Sequence, residues 1–161
     1  MTQQAFPWEW SPVHPWVRVK RDDVRARLLA DRHYSRQTIG AKGFVPPGRV
    51  LVLVTPDALA AWAVCENLDG GGTMRWRVTL FRNEGHVVSS ELVRAATITT
   101  FSWWAHRYGE VPAELVTEVD AAKVRRKRDP GRCFMRAGWE RIGDSKGGLV
   151  RLRAPHVGGG A

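Results

Sequence analysis

Five consecutive apolar residues, Val50-Leu51-Val52-Leu53-Val54, constrain this chain more than any other segment. A strand that is apolar on both of its faces belongs inside a sheet covered on both sides, because an alternating strand would suffice if one face met water. A second apolar run, Leu59 to Cys65, follows across the Pro56-Asp57 turn, so the two pack as neighbouring strands. Helices must then supply the two covering layers, which makes the chain a layered α/β protein.

The remaining elements follow from punctuation and periodicity. Phe6 to Trp16 sets Pro7, Pro12 and Pro15 among Trp8, Trp10 and Trp16, so residues 1–16 read as an irregular aromatic arm. Trp16 to Lys20 alternates as a short strand. Asp22 or Asp23 caps a helix to about Asp31, with Val24, Leu28 and Leu29 as its expected inner face. A long polar loop, His33 to Gly48, precedes the first apolar run. Asp69-Gly70-Gly71-Gly72 is a turn into a third strand, Arg75 to Phe81. A long helix opens at Ser89 or Ser90 as cap and closes at Gly109, with Leu92, Ala96, Thr99 and Trp103 on one face. Glu114 to Val119 reads as a strand and Asp129-Pro130 opens a short helix that Gly138 stops. Strands near Trp139–Ile142 and Leu149–Leu152 flank a Gly147-Gly148 turn. The predicted order is β-α-loop-β-β-β-α-β-α-β-β in one domain over residues 17–153, with a flexible tail over 154–161. It implies an α/β (α+β) mixed sheet of about six to seven strands with helices on both faces. A parallel pair between the Arg75 and Glu114 strands would open a ligand crevice at their carboxyl ends.

Charge suggests the partner. The chain has 161 residues, with 25 Lys and Arg against 16 Asp and Glu, a formal net charge of +9. The excess is concentrated: from Lys123 to Arg141 lie Lys123, Arg125, Arg126, Lys127, Arg128, Arg132, Arg136 and Arg141, against only Asp129 and Glu140. Such a patch favours a polyanion, since each phosphate neutralised releases condensed counterions. Arg36 is a further candidate DNA contact. No apolar run approaches the roughly 20 residues of a membrane span. The first residues lack a signal-peptide layout, so a cytoplasmic location is expected. Two cysteines, Cys65 and Cys133, give neither a disulfide framework nor a zinc site, and Cys133 reads as core.

Three clusters can carry chemistry. His33-Tyr34-Ser35-Arg36 offers a proton acceptor, a donor or a hard metal ligand; the alternative is a polar helix end. Phe81-Arg82-Asn83-Glu84-Gly85 ends the third strand, where Arg82 can clamp a phosphate or carboxylate and amides after Gly85 add helix-start donors. Its alternative is a charged turn with an internal Arg–Glu pair. Asp120, ending the Glu114 strand, is a general base, a metal ligand or a cap. Arg82, Gly85, Ser89 and Ser90 are the candidate cofactor-binding residues.

Taken in order, these motifs resemble the Mom family of phage DNA-modification proteins. The matching pieces are His33-Tyr34-Ser35-Arg36, Pro47-Gly48 before the apolar strand, Phe81-Arg82-Asn83-Glu84, Ser89-Ser90-Glu91-Leu92, Val119-Asp120, and Asp129-Pro130-Gly131-x-Cys133-Phe134 leading into Ala137-Gly138-Trp139. Mom proteins look like divergent members of the GNAT acyltransferase superfamily, and Phe134 to Gly143 is similar to the C-terminal motif of that superfamily. Of its phosphate-binding signature, Arg82 and Gly85 fit, while Val87 stands where a small residue is usual; acyl-CoA is therefore an open cofactor. The resemblance implies a transferase that adds a carbamoylmethyl group to the exocyclic amine of adenine in double-stranded DNA, protecting phage DNA from host restriction. It implies a site built on His33, Tyr34, Arg82 and Asp120, with iron held through His33, Tyr34 and Asp120. Arg132 stands where the family commonly has an aromatic residue. Two alternatives remain beside it: an acetyl-CoA-dependent N-acetyltransferase, and a non-catalytic basic DNA-binding protein. A homodimer is compatible with each.

Overall fold

A computed structural model describes residues 10–33, 38–41, 43–69, 71–122 and 131–155. Its elements are β1 (Val17–Val19), α1 (Val24–Asp31), β2 (Val50–Val54), β3 (Ala60–Leu68), β4 (Met74–Asn83), α2 (Ser89–Tyr108), β5 (Leu115–Val119), α3 (Arg132–Arg136), β6 (Glu140–Asp144) and β7 (Val150–Arg153). The order is the one the sequence predicts. The seven strands form a single mixed sheet in the order β1-β2-β3-β4-β5-β7-β6. Every neighbouring pair is antiparallel except β4 and β5, which run parallel with α2 as their crossover.

β2 shows why its sequence has no polar position. Leu51 and Leu53 enter the core beneath α2 and α3, while Val52 and Val54 enter a separate core beneath α1. The α2 side is aromatic. Trp62, fully buried, stacks near Phe134 at 6.0 Å and meets Phe81 and Trp139 edge-on at 5.9 and 6.4 Å. Its Nε1 donates to Thr100 Oγ1 at 3.1 Å, so the indole is buried without an unpaired donor. The described end of the arm closes the same core: Trp16 Nε1 donates to the Leu92 carbonyl at 2.9 Å and Trp10 Nε1 to Ser102 Oγ at 2.6 Å. Cys133 packs, half-buried, against this core.

Two local expectations are corrected. Ala26, Leu29 and Ala30 form the inner face of α1, whereas Val24 and Leu28 are 55% and 49% exposed. Small residues let the helix sit close on Ala61 and Ala63, and the larger Val24 and Leu28 fall on the outer arc. Neither serine caps α2 either. Val88 is the N-cap residue and contributes no side-chain bond, while Ser89 and Ser90 lie in the first turn. The termini agree better elsewhere, with Asp23 capping α1 through Arg25 and Ala26 amides and Gly109 closing α2 at φ 73°.

Candidate active site at the β4–β5 crevice

β4 carries a bulge. Ala63 pairs with Leu80 and Val64 with Val78, so Thr79 is the extra residue. It reverses the strand's alternation: Trp76 and Val78 face the α2 core before it, and Phe81 does so after it. Leu80 and Arg82 are thereby turned to the α1 side, as their partners Ala63 and Ala61 are. The ladder to β5 ends at Val78 and Thr117, just short of the bulge. Beside that ending lies a crevice of about 500 Å³, bounded by Ala30 of α1, Phe44 and Val45 of the long loop, Thr79 and Leu80 of β4 and Glu118 of β5. Thr79 Oγ1, shielded from solvent, has no hydrogen-bond partner among the described residues.

Helical phase brings His33 to the Phe81–Arg82 end of β4. It follows Ala26, Leu29 and Ala30 on the inward arc, and its amide donates to the Ala30 carbonyl at 3.0 Å. The half-buried ring donates to the Phe81 backbone and lies near the Arg82 guanidinium. Burial first, and then the positive charge of Arg82, pushes its pKa down to about 4, with the bond to Phe81 opposing both. At neutral pH the imidazole is therefore uncharged, a proton acceptor or metal donor rather than a cation.

Arg82 is engaged at once by its own turn. Its Nε donates to Glu84 Oε2 at 2.5 Å, and Arg32 meets the same carboxylate through Nε at 2.7 Å and a second nitrogen at 3.0 Å. The bond from Arg32, then that from Arg82, holds the Glu84 carboxyl down to about 2. The internal Arg–Glu pair foreseen as the alternative is thus present, and it has a second arginine. Glu84 fastens the end of α1 to the end of β4, fixing His33 against Phe81. Asn83 orders the next turn: its Nδ2 donates to the Val87 carbonyl and Ser89 Oγ, and its Oδ1 accepts from Gly85 N. Gly85 is tight there, since a Cβ would lie 3.2 Å from Leu59 Cβ.

Asp120 follows β5. Thr117 is the last residue of β5 paired with β4, and Asp120 lies three residues beyond it, where the two strands have parted. Strand alternation also gives Asp120 the α1 side, since Leu115 and Val119 face the α2 core. Its Oδ1 accepts from Ala122 N at 3.0 Å, so the turn-capping role is real. His33 and Arg82 meet at the end of β4, whereas Asp120 follows β5 and bonds within its own turn. Tyr34, Arg36, Lys123, Arg125, Arg126, Lys127 and Arg128 lie outside the described residues. Arg132 is exposed at the start of α3. Before it, Gly131 adopts φ +80°, with Leu152 and Val119 so close that a Cβ would reach 2.5 Å from Leu152 Cδ1. This contact seats the end of the basic segment beside the end of β5.

No family model, curated protein or solved structure matches this chain. Among the described residues no group of three His, Cys, Asp or Glu is gathered to hold a metal ion. His33 and Asp120 are the two described members of the expected iron set. The ring of His33 suits that role in one respect: its bond to a backbone group orients it, as second-shell bonds do for metal-bound imidazoles. No helix of the described residues is long and apolar enough to cross a membrane.

Sequence reasoning missed four residues around the crevice: Arg32, Arg77, Thr79 and Glu118. A signal existed for two of them. Arg75 and Arg77 alternate with Trp76 and Val78, and Glu118 interrupts the apolar β5, which together mark a polar sheet face.

Proposed function

We propose that this chain is a DNA adenine-modifying transferase, Mom-like and GNAT-like in design, that adds a carbamoylmethyl group to the exocyclic amine and shields phage DNA from host restriction. One observation carries the reading: an uncharged imidazole from the end of α1 lies against an arginine at the end of β4, just past Leu80 in the crevice wall. The order of the surrounding motifs supports it, as does the basic segment leading from Asp120 to Gly131.

A base stacked in a duplex hides its amine, so the target must leave the helix and enter the crevice, whose 500 Å³ has room for a purine. Lys123, Arg125, Arg126, Lys127, Arg128 and Arg132, with Arg36, would hold the flanking phosphates. As the amine nitrogen bonds to the transferred carbon, that carbon's bond to its donor would break with the electron pair leaving on the donor, and Asp120 or Tyr34 would take the amine's proton. Arg82, fixed by Glu84, would offset negative charge developing on the transferred group. Iron would be held by His33, Asp120 and Tyr34, and when bound it supplies a Lewis-acid or one-electron route suited to a poorly nucleophilic amine.

The test is the nucleoside content of DNA from cells expressing the chain, read by digestion and mass spectrometry. The expected result is a new modified deoxyadenosine, lost in Asp120→Ala and strongly reduced in Tyr34→Phe. Saturable acetyl-CoA binding with unaltered DNA would replace this reading by ordinary acyl transfer, for which Arg82, Gly85, Ser89 and Ser90 would hold the cofactor. DNA binding that is indifferent to both substitutions, with no new nucleoside, would leave a non-catalytic binder.

A further inference from the structure

The α1 side of the sheet is covered only over part of its width. Beyond α1, the surface of β3, β4, β5 and β7 is polar, and a second cavity of about 320 Å³ opens there, lined by Asn67, Asp69, Arg75, Arg77, Glu118 and Arg151 around Val116. It shares Arg77 and Glu118 with the crevice, so the two hollows adjoin.

Its arginines are not equally satisfied. Arg75 is saturated, with Nε on Asp69 at 2.9 Å and a terminal nitrogen on Glu114 at 3.3 Å. Arg77 and Arg151 instead share one carboxylate, Glu118 Oε1, at 4.0 and 3.8 Å, beyond hydrogen-bond reach. Arg151 Nε is shielded from solvent and has no hydrogen-bond partner among the described residues. Two guanidiniums against one carboxylate leave one positive charge, together with forked donors of the geometry that oxyanions accept.

We infer that Arg77 and Arg151 hold a phosphodiester of the DNA strand whose base occupies the adjoining crevice. The inference rests on the proposed DNA reading and adds a site to it. A phosphodiester carries the single negative charge the pair lacks. The position fits as well: Arg77 and Glu118 line both hollows, so a strand can pass from one to the other.

Binding of a short labelled single-stranded oligonucleotide by the full chain, followed by anisotropy over a range of salt, tests this. Arg77→Gln and Arg151→Gln should each weaken binding about tenfold and lower the slope of log affinity against log salt by about 0.7. Glu118→Gln should tighten it about threefold, a gain that misfolding does not produce. Arg141→Gln, an exposed arginine on β6 paired with Asp144, is the control and should change affinity less than twofold. Equal affinity in wild type, Arg77→Gln and Arg151→Gln would overturn the inference. So would competition by inorganic phosphate or AMP at the potency of the strand, which would make this a site for a free phosphoryl ligand. If expressing cells yield no modified nucleoside while these affinity changes hold, the enzymatic reading fails and the phosphate site stands.

Discussion

Replacing Gly131 by Ala tests how the basic segment is fastened to the fold. The backbone there has φ +80°, where a side chain costs about 1–2 kcal/mol. The new methyl would also sit 2.5 Å from Leu152 Cδ1, and Leu152 is fully buried and unable to swing into solvent. Overpacking of that kind costs about 1–3 kcal/mol. Gly131→Ala should therefore destabilise the protein by about 2–5 kcal/mol, a large fraction of a typical domain's stability. Urea denaturation measures it as a lower midpoint at unchanged slope. The steric share can be isolated, because Leu152→Ala removes the obstructing methyls. Leu152→Ala alone should cost about 2–5 kcal/mol, and the double variant should be more stable than the sum by about 1–3 kcal/mol. A Gly131→Ala midpoint within about 0.5 kcal/mol of wild type, or no coupling to Leu152, would refute the contact.

Two further outcomes follow from the core and the crevice. His33 has a folded pKa of about 4 against an ordinary 6.5, so its contribution to stability is complete above pH 6.5 and is lost as pH falls toward 4. The loss is at most about 3 kcal/mol, lessened by the partial exposure of the ring, and His33→Gln should flatten the stability profile in that window. Glu84, held at about 2, stays ionised there and contributes only to the profile below pH 4.5, so an unchanged slope in His33→Gln would refute the assignment. Trp62→Ala should cost about 3–5 kcal/mol by denaturation, since it empties the centre of the aromatic cluster and removes the indole donor to Thr100 Oγ1; a cost under 1 kcal/mol would mean the cluster repacks.

The element order was legible because its signals are local. The apolar β2 run demanded two covering layers, the glycine-bearing turn set β3 against β4, and Gly109 marked the end of α2. Helical phase was less legible. In α1 the apolar residues fall nearly all round, and only tertiary fit decides that alanines rather than Val24 and Leu28 face the sheet. Helix starts depend on competing side chains: Asn83 occupies both Ser89 Oγ and the Val87 carbonyl, leaving Val88 at the cap position. The meeting of His33 with Arg82 was inferred from resemblance and strand order, yet the detail that fixes it, Glu84 between Arg32 and Arg82, joins residues far apart in sequence. Arg151 reaches Glu118 only through the β5–β7 ladder, which no single segment encodes.

The early parting of β4 and β5 has a wider consequence. An open sheet normally presents its unsatisfied main-chain polar groups along its two outer rims, here β1 and β6. Where these central strands separate past Val78 and Thr117, the sheet acquires an inward rim as well, its amides and carbonyls turned toward the gap. Water satisfies such groups at little cost, and a planar amide or a heterocycle can replace that water with bonds to the main chain. Recognition made through peptide groups is insensitive to side-chain replacement, so the grip on a guest in that gap can outlast considerable divergence of the residues around it.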